Sequence, residues 1–344
     1  MRCATLAEEL RRRGARIAFI CREMPGDYLD WLAARGTASV RLPAPSPSAN
    51  GSKNVGSYAD WLGVPLELEI EQVRDQFTAL GDADWLVVDH YALDAGWEKA
   101  MRGRAKKILC IDDLANRAHD CDMLLDQNYY DRPKHRYAGL LPPGAITLLG
   151  PRYALLRPEF AFWRQRMRER DGTVKRILIF MGGSDSANVT CAALEALAQC
   201  GHVGLETQID VVIGQANLHV EEVRALCARM HRVSLHRDID NIAELMTAAD
   251  LAIGATGAST WERAALGLPA LAVSVAENQR DIARYAAKSG LLTWLGDAQS
   301  ISLSEWKLGI DEACSSPEAL RRQSRAGLAL IDAYGVARVA EHML

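Results

Sequence analysis

The chain has 344 residues, 49% of them hydrophobic and 24% charged, with a formal net charge of −4. That length suggests two domains, each able to bury a core. The balanced charge excludes the strongly basic surface expected of a nucleic-acid or anionic-membrane partner. No apolar run approaches the roughly 20 residues of a membrane span, and no signal peptide is visible, so the expectation is a cytoplasmic protein. None of the eight cysteines forms a CxxC pair. Several lie in apolar runs, such as Cys110 within 108–111, which suits buried free thiols in a reducing compartment.

Strand-like apolar runs alternate with helical stretches throughout. The first half has them at 17–21, 85–88, 108–111, 123–125 and 146–149. The second has them at 177–180, 209–213, 233–235, 251–253, 270–275 and 291–295. Short, nearly continuous apolar strands separated by helices predict parallel sheets covered on both faces. Two such sets give an α/β chain of two doubly wound Rossmann-like domains, at 1–165 and 175–316. A charged stretch at 164–175 holds the boundary, and a helical segment at 317–344 is expected to pack back onto the first domain. Residues 43–56, rich in Pro, Ser, Asn and Gly, read as a surface loop. The chain opens in a helix with Cys3, Leu6, Ala7 and Leu10 on one apolar face. A parallel domain of this class is expected to open with a strand, so the first sheet is expected to lack an inner strand.

Ligands of open parallel sheets bind beyond the carboxyl ends of the strands. The segment 250–279 is the most informative there: a buried strand at 251–253, a small-residue loop from Gly254 through Gly257 to Ala258, a helix opening at Ser259, and a second strand followed by Asn278 and Gln279. Glycines before a helix let a ligand approach backbone N–H groups at the positive end of the helix dipole. The competing reading is a capping box in which Glu262 only closes the helix start. After the run 177–180, Gly182-Gly183-Ser184 is the best phosphate candidate, against a plain strand-to-helix turn. There is no GxxxxGK[ST] and no GxGxxG. His90, flanked by Asp89 and Tyr91, is either an acid or base in a cleft or a loop-anchoring histidine. Asp112 and Asp113 are catalytic, metal-binding or capping. Arg152 is either an anion clamp or a linker anchor. The spacing of His119, Asp120, Cys121 and Asp122 fits no zinc pattern and reads as a capping loop, so no metal is expected.

Taken together, the segments MRCATLAEELRRRGARIAFICREMPG, WLVVDHYALD, ILCIDDLANRAHDCDMLLDQN, LLGPRYALLRPEF, ILIFMGGSDSANVT, LHRDIDNIAELMTAADLAIGATGASTWERAALGLP and ENQ resemble the UDP-sugar hydrolases of pseudaminic acid biosynthesis. The resemblance spans almost the whole chain. It implies a glycosyltransferase-B fold, with UDP on the C-terminal domain and the sugar met by the N-terminal one. It also implies that water displaces UDP from the anomeric carbon of a 2,4-diacetamido-2,4,6-trideoxy sugar. Gly182, Gly183 and Ser184 would hold the diphosphate. Gly257 and Ser259 would hold the nucleotide, with Glu262 on the ribose. Asn278 and Gln279 would face the diphosphate or sugar, His90 and Tyr91 would line the sugar pocket, and Arg152 would touch substrate. No cofactor and no partner beyond the UDP-sugar are implied, and a monomer is expected. The family's G-x-G-H-x-x-R-C motif supplies its general-base histidine. This chain starts inside that motif, so weak hydrolase activity is expected of it as written. The alternatives are a transferase of the same fold or a non-catalytic UDP-sugar binder.

Overall fold

The computed structural model describes residues 1–344 apart from 25, 46–57 and 202–205. The surface loop expected over 43–56 lies largely outside the described residues. The strands are β1 (Ala18–Arg22), β2 (Ala38–Leu42), β3 (Ala83–Val88), β4 (Ala105–Ile111), β5 (Met123–Asp126), β6 (Ile146–Leu149), β7 (Arg176–Phe180), β8 (Gln208–Ile213), β9 (Val233–Arg237), β10 (Leu251–Ala255), β11 (Ala270–Ser274) and β12 (Thr293–Asp297). Every strand pairing among them is parallel. No helix among the described residues is long and apolar enough to cross a membrane.

The chain divides into two compact units. The first comprises 1–128, 132–155 and 335–344, and the second 129–131 and 156–334. The charged stretch 164–175 therefore falls inside the second unit. Arg170 holds it there, through hydrogen bonds to the carbonyls of Met246, Ala249 and Leu266. The C-terminal segment splits as well. Helix Pro317–Leu330 belongs to the second unit, whereas helix Gly335–Met343 packs on helix Arg2–Arg12 in the first. Leu6, Leu10, Val339 and Ala340 share one apolar cluster there.

In the first unit β3-β4-β5-β6 form one sheet and β1-β2 another. Among the described residues β1 pairs only with β2 and β3 only with β4, although Ile20 and Val88 lie in one apolar cluster. The second unit has a six-stranded sheet in the order β12-β11-β10-β7-β8-β9. Its inner strands Leu251–Ala255 and Ala270–Ser274 are buried at every residue, as expected of a sheet covered on both faces. Chain order reverses between β7 and β10. That reversal is a topological switch point, and loops leaving its carboxyl end open a crevice that favours ligands.

Candidate functional site

The two loops beside the switch point are the glycine loops singled out in the sequence. Gly182 follows β7 with φ of 100°, a left-handed conformation that suits glycine. Gly183 and Ser184 are exposed, and the Ser184 hydroxyl has no hydrogen-bond partner among the described residues. A Cβ on Gly214, just past β8, would come within 2.6 Å of the Gly183 Cα, so these two loops touch backbone to backbone. The following helix, Val189–Leu197, is not the anion site its position suggested. The buried Asp185 carboxylate accepts from the N–H groups of Val189 and Thr190 at 2.9 and 3.0 Å. That helix end is closed, which leaves the loop's own backbone and the Ser184 hydroxyl as the polar groups beside it.

The loop after β10 is different. Helix Ala258–Ala265 begins one residue earlier than its sequence suggested, with Gly257 at the N-cap and no side chain accepting from its first turn. The capping box is not made, because Ser259 lies inside the helix instead of preceding it. Glu262 is left half-buried, with no hydrogen bond from the described residues, and burial pushes its carboxyl up. The helix ends where expected: Gly267 has φ of 56° and donates to the Ala264 carbonyl.

Asn278 and Gln279 lie in the first turn of helix Glu277–Lys288, whose N-cap also lacks a side-chain acceptor. Gln279 folds back, its Oε1 accepting the Val275 N–H at 3.1 Å. Its amide nitrogen lies 3.6 Å from where a Cβ on Gly257 would sit. Gly257 and Gln279 are thus neighbours, and two uncapped helix ends adjoin the glycine loops.

His90, Tyr91 and Arg152 belong to the first unit. His90 Nδ1 accepts the Ala92 N–H at 3.1 Å, and the Trp61 carbonyl is a hydrogen-bond partner of the ring. Burial keeps the imidazole below its ordinary value, so it is neutral, with its lone pair engaged in the loop. Tyr91 donates to Asp113 at 2.8 Å and packs beside the rings of Tyr58 and Trp61. Arg2 holds Asp89 at 2.6 Å, and Arg136 holds Asp126 at 2.7 Å. Burial pushes the Asp126 carboxyl up to about 7, against the pull of the Asn128 N–H and Arg136. Arg152 follows β6 in a single 3-10 turn, exposed, with its guanidinium 5.2 Å from the Tyr153 ring centre.

Sequence reading missed Gly214 and Arg263 in the second unit and Glu98 in the first, and it began the glycine loop at Gly254, which the structure keeps inside β10. Glu98 is fully buried. It accepts from the Cys110 thiol at 2.9 Å and pairs with His119 Nδ1 at 2.7 Å. Potential ligand atoms of these three residues lie within 4.8 Å of one another. Two ligands on one tetrahedral zinc stand about 3.3–3.7 Å apart, given bond lengths of 2.0–2.3 Å, so the observed spacings are those of a hydrogen-bonded network. Asp120 and Asp122 pair with Arg102, and Asp122 also accepts from the Ile108 N–H. At the opposite, amino-terminal edge of the second sheet, a shallow depression is lined by charges that already pair with each other, among them Arg168 with Asp250.

Residues 177–328 match the model of the glycosyltransferase family 28 C-terminal domain. The spore coat polysaccharide biosynthesis protein SpsG of Bacillus subtilis is 30% identical over 194 residues, covering 55% of this chain and 56% of that protein. The chain spans about half the length of the curated relatives it matches. Among solved structures, Acinetobacter baumannii MurG superposes with a TM-score of 0.67 at 14% identity, over 99% of this chain and 94% of that one. Arabidopsis thaliana UGT89C1 in complex with UDP gives 0.63 at 14% identity, over 99% and 95%.

These likenesses correct the expectation of a UDP-sugar hydrolase: the family matched is one of glycosyltransferases. The physical reason is that the segments behind the hydrolase reading are strands, helices and connecting loops of the scaffold. A scaffold of this kind does not fix whether water or an acceptor attacks. The chain has the glycosyltransferase-B fold, and its second unit carries the glycosyltransferase family 28 C-terminal domain match.

Proposed function

We propose that this chain is a glycosyltransferase that takes a UDP-sugar as donor and acts in the assembly of a larger carbohydrate. The observation that carries the reading is the placement of the two glycine loops. They flank the switch point of the unit that matches the family 28 domain. The likeness to a polysaccharide-biosynthesis protein and to a structure complexed with UDP supports the same reading.

In transfer, an acceptor oxygen bonds to the anomeric carbon, the bond from that carbon to the diphosphate oxygen breaks, and the acceptor's proton passes to solvent or a base. Charge builds on the departing diphosphate, so its stabilisation is the main electrostatic task. Gly182, Gly183 and Ser184 would supply N–H and hydroxyl donors to it. Gly257 and Ser259 would add those of the uncapped helix end. Glu262, a carboxylate with no hydrogen bond from the described residues although Arg157 and Arg263 act on it through space, suits the paired hydroxyls of a ribose. Asn278 and Gln279 would complete the diphosphate or sugar contacts. His90, Tyr91 and Arg152 would serve the sugar or acceptor from the first unit. No nucleic acid, membrane or metal enters this reading, and the chain would act as a monomer in the cytoplasm.

The test is UDP release from a panel of UDP-hexoses and UDP-N-acetylhexosamines, with and without hexosamine acceptors, the products being weighed by mass spectrometry. Acceptor-dependent release with a new glycoside mass is expected. Release at the same rate without acceptor, with free reducing sugar as the sole product, would sink the reading.

A further inference from the structure

Arg263 lies in the second half of helix Ala258–Ala265, yet its guanidinium folds back to the amino-terminal end of that helix. Nη1 donates to Ser259 Oγ at 3.1 Å, and Nη2 donates to the Ala255 carbonyl at 2.9 Å and to Thr260 Oγ1 at 3.3 Å. The residue is 2% exposed, and Nε has no partner. Among the described residues no carboxylate pairs with it, the adjacent Glu262 included. Gly254 makes the room: a Cβ there would come within 2.8 Å of Nη1 and 2.6 Å of the Phe180 carbonyl.

Arg170 is a useful contrast. It is buried too, but it donates to the carbonyls of Met246, Thr247, Ala249, Leu266 and Gly267. Those groups close the carboxyl ends of helices Ile242–Ala248 and Ala258–Ala265, where the dipole is negative and a cation is welcome. Arg263 sits at the positive end of its helix, where a cation is disfavoured. Only the through-space attraction of Glu262, with no ion pair formed, offsets a buried charge in that position, so an anion is favoured there. Burial lowers the guanidinium only to about 10, so it is charged at neutral pH.

We propose that Arg263 is the built-in counter-charge for the diphosphate of the bound nucleotide, acting through Ser259. The inference rests on the nucleotide-sugar reading above. Ser259 Oγ accepts from Arg263, while its own O–H makes only a long contact of 3.5 Å to the Ala255 carbonyl, too far for a firm bond. The hydroxyl is therefore polarised and free to donate to a phosphate oxygen, beside the uncapped N–H groups of the first turn. Arg263 does not touch the ligand. It is a positioning residue that makes the site selective for a diphosphate over an uncharged nucleoside.

The test is calorimetric binding of UDP, UMP, uridine and inorganic pyrophosphate to the full chain, its Arg263→Met and Arg263→Lys variants, and Ser259→Ala, with melting temperatures recorded for each. Arg263→Met is expected to weaken UDP and pyrophosphate roughly tenfold or more and leave uridine unchanged, with Arg263→Lys recovering most of the loss. A proportional loss for uridine, or unchanged UDP affinity, overturns the proposal. If Arg263→Met does not fold, Ser259→Ala decides, since it removes the relay and leaves the buried charge. The same pattern supports the proposal, and unchanged UDP and pyrophosphate affinity overturns it. Arg263-dependent pyrophosphate binding without any gain for UDP would keep the counter-charge and discard the nucleotide reading. Binding of neither by the unaltered chain would discard both.

Discussion

Gly214 and Gly183 meet backbone to backbone: a Cβ on Gly214 would lie within 2.6 Å of the Gly183 Cα and 2.9 Å of its carbonyl carbon. The loop after β8 is thus the floor of the loop after β7. Gly214→Ala forces the Gly183 loop to shift, since backbone cannot yield as a side chain would. The expected cost is about 1–3 kcal/mol of stability from overpacking. UDP affinity is expected to fall by more than stability alone explains, measured by calorimetry at a temperature where the variant is fully folded. Unchanged affinity would detach the 182–184 loop from the nucleotide.

Glu262 takes no part in closing its helix. Glu262→Gln is therefore expected to leave the melting temperature unchanged or raise it, because a carboxylate that burial disfavours is removed. A true capping residue would instead cost about 1 kcal/mol. With UDP the variant is expected to bind roughly tenfold more weakly, and 2′-deoxy-UDP should lose much less. Equal losses for the two nucleotides would remove Glu262 from the ribose.

Asp185 closes the helix Val189–Leu197 with bonds to two backbone N–H groups. Asp185→Ala is expected to destabilise the protein by about 1–2 kcal/mol, read from chemical denaturation. The stripped helix end should also slow less in hydrogen exchange than the rest of that helix. A neutral effect would show that these N–H groups find water or ligand instead.

The first unit carries a pH signature. Burial alone would lower the His119 imidazole. Asp112 and Glu98 outweigh it and raise the group to about 9. Asp112 stands 3.8 Å from Nε2, an ion-pair spacing and not a hydrogen bond. The folded value exceeds the ordinary 6.5, so this stability is complete below pH 6.5 and lost as pH rises through 9. Asp126, raised to about 7 chiefly by burial, has the same sign: its contribution is complete below the ordinary 3.8 and lost as pH rises through 7. Between pH 7 and 9.5 the melting temperature should drop by roughly 3–10 °C, and His119→Gln should flatten that slope. A melting temperature that rises over this interval would contradict the assignment.

The sequence made the alternation of strands and helices legible, together with both glycine loops and the glycine stop at Gly267, because these are local patterns of apolar runs and small residues. Capping was not readable in either helix that follows those loops. Asp185 lies outside the standard N-cap position yet reaches two N–H groups, while Ser259 looked like a cap and is a helical residue. The packing roles of Arg263, Gly254 and Gly214 were hidden for another reason. Their meaning is set by neighbours far along the chain, such as Phe180 for Gly254 and Gly183 for Gly214. One signal was available: Gly214 directly follows a buried strand, as Gly182 nearly does. Glu98 and His119 are likewise distant in sequence and joined only by folding. The choice between water and an acceptor as nucleophile was not readable, because the quoted motifs describe the scaffold and not the attacking group.

The most direct measurement is hydrogen exchange of the full chain with and without saturating UDP. The account predicts slowed exchange in the second unit at 182–184, 256–260 and 276–279, the segments that leave the carboxyl ends of β7, β10 and β11. Slowed exchange confined to other segments, or none at all with UDP demonstrably in excess, would contradict the placement of the nucleotide and with it the transferase reading.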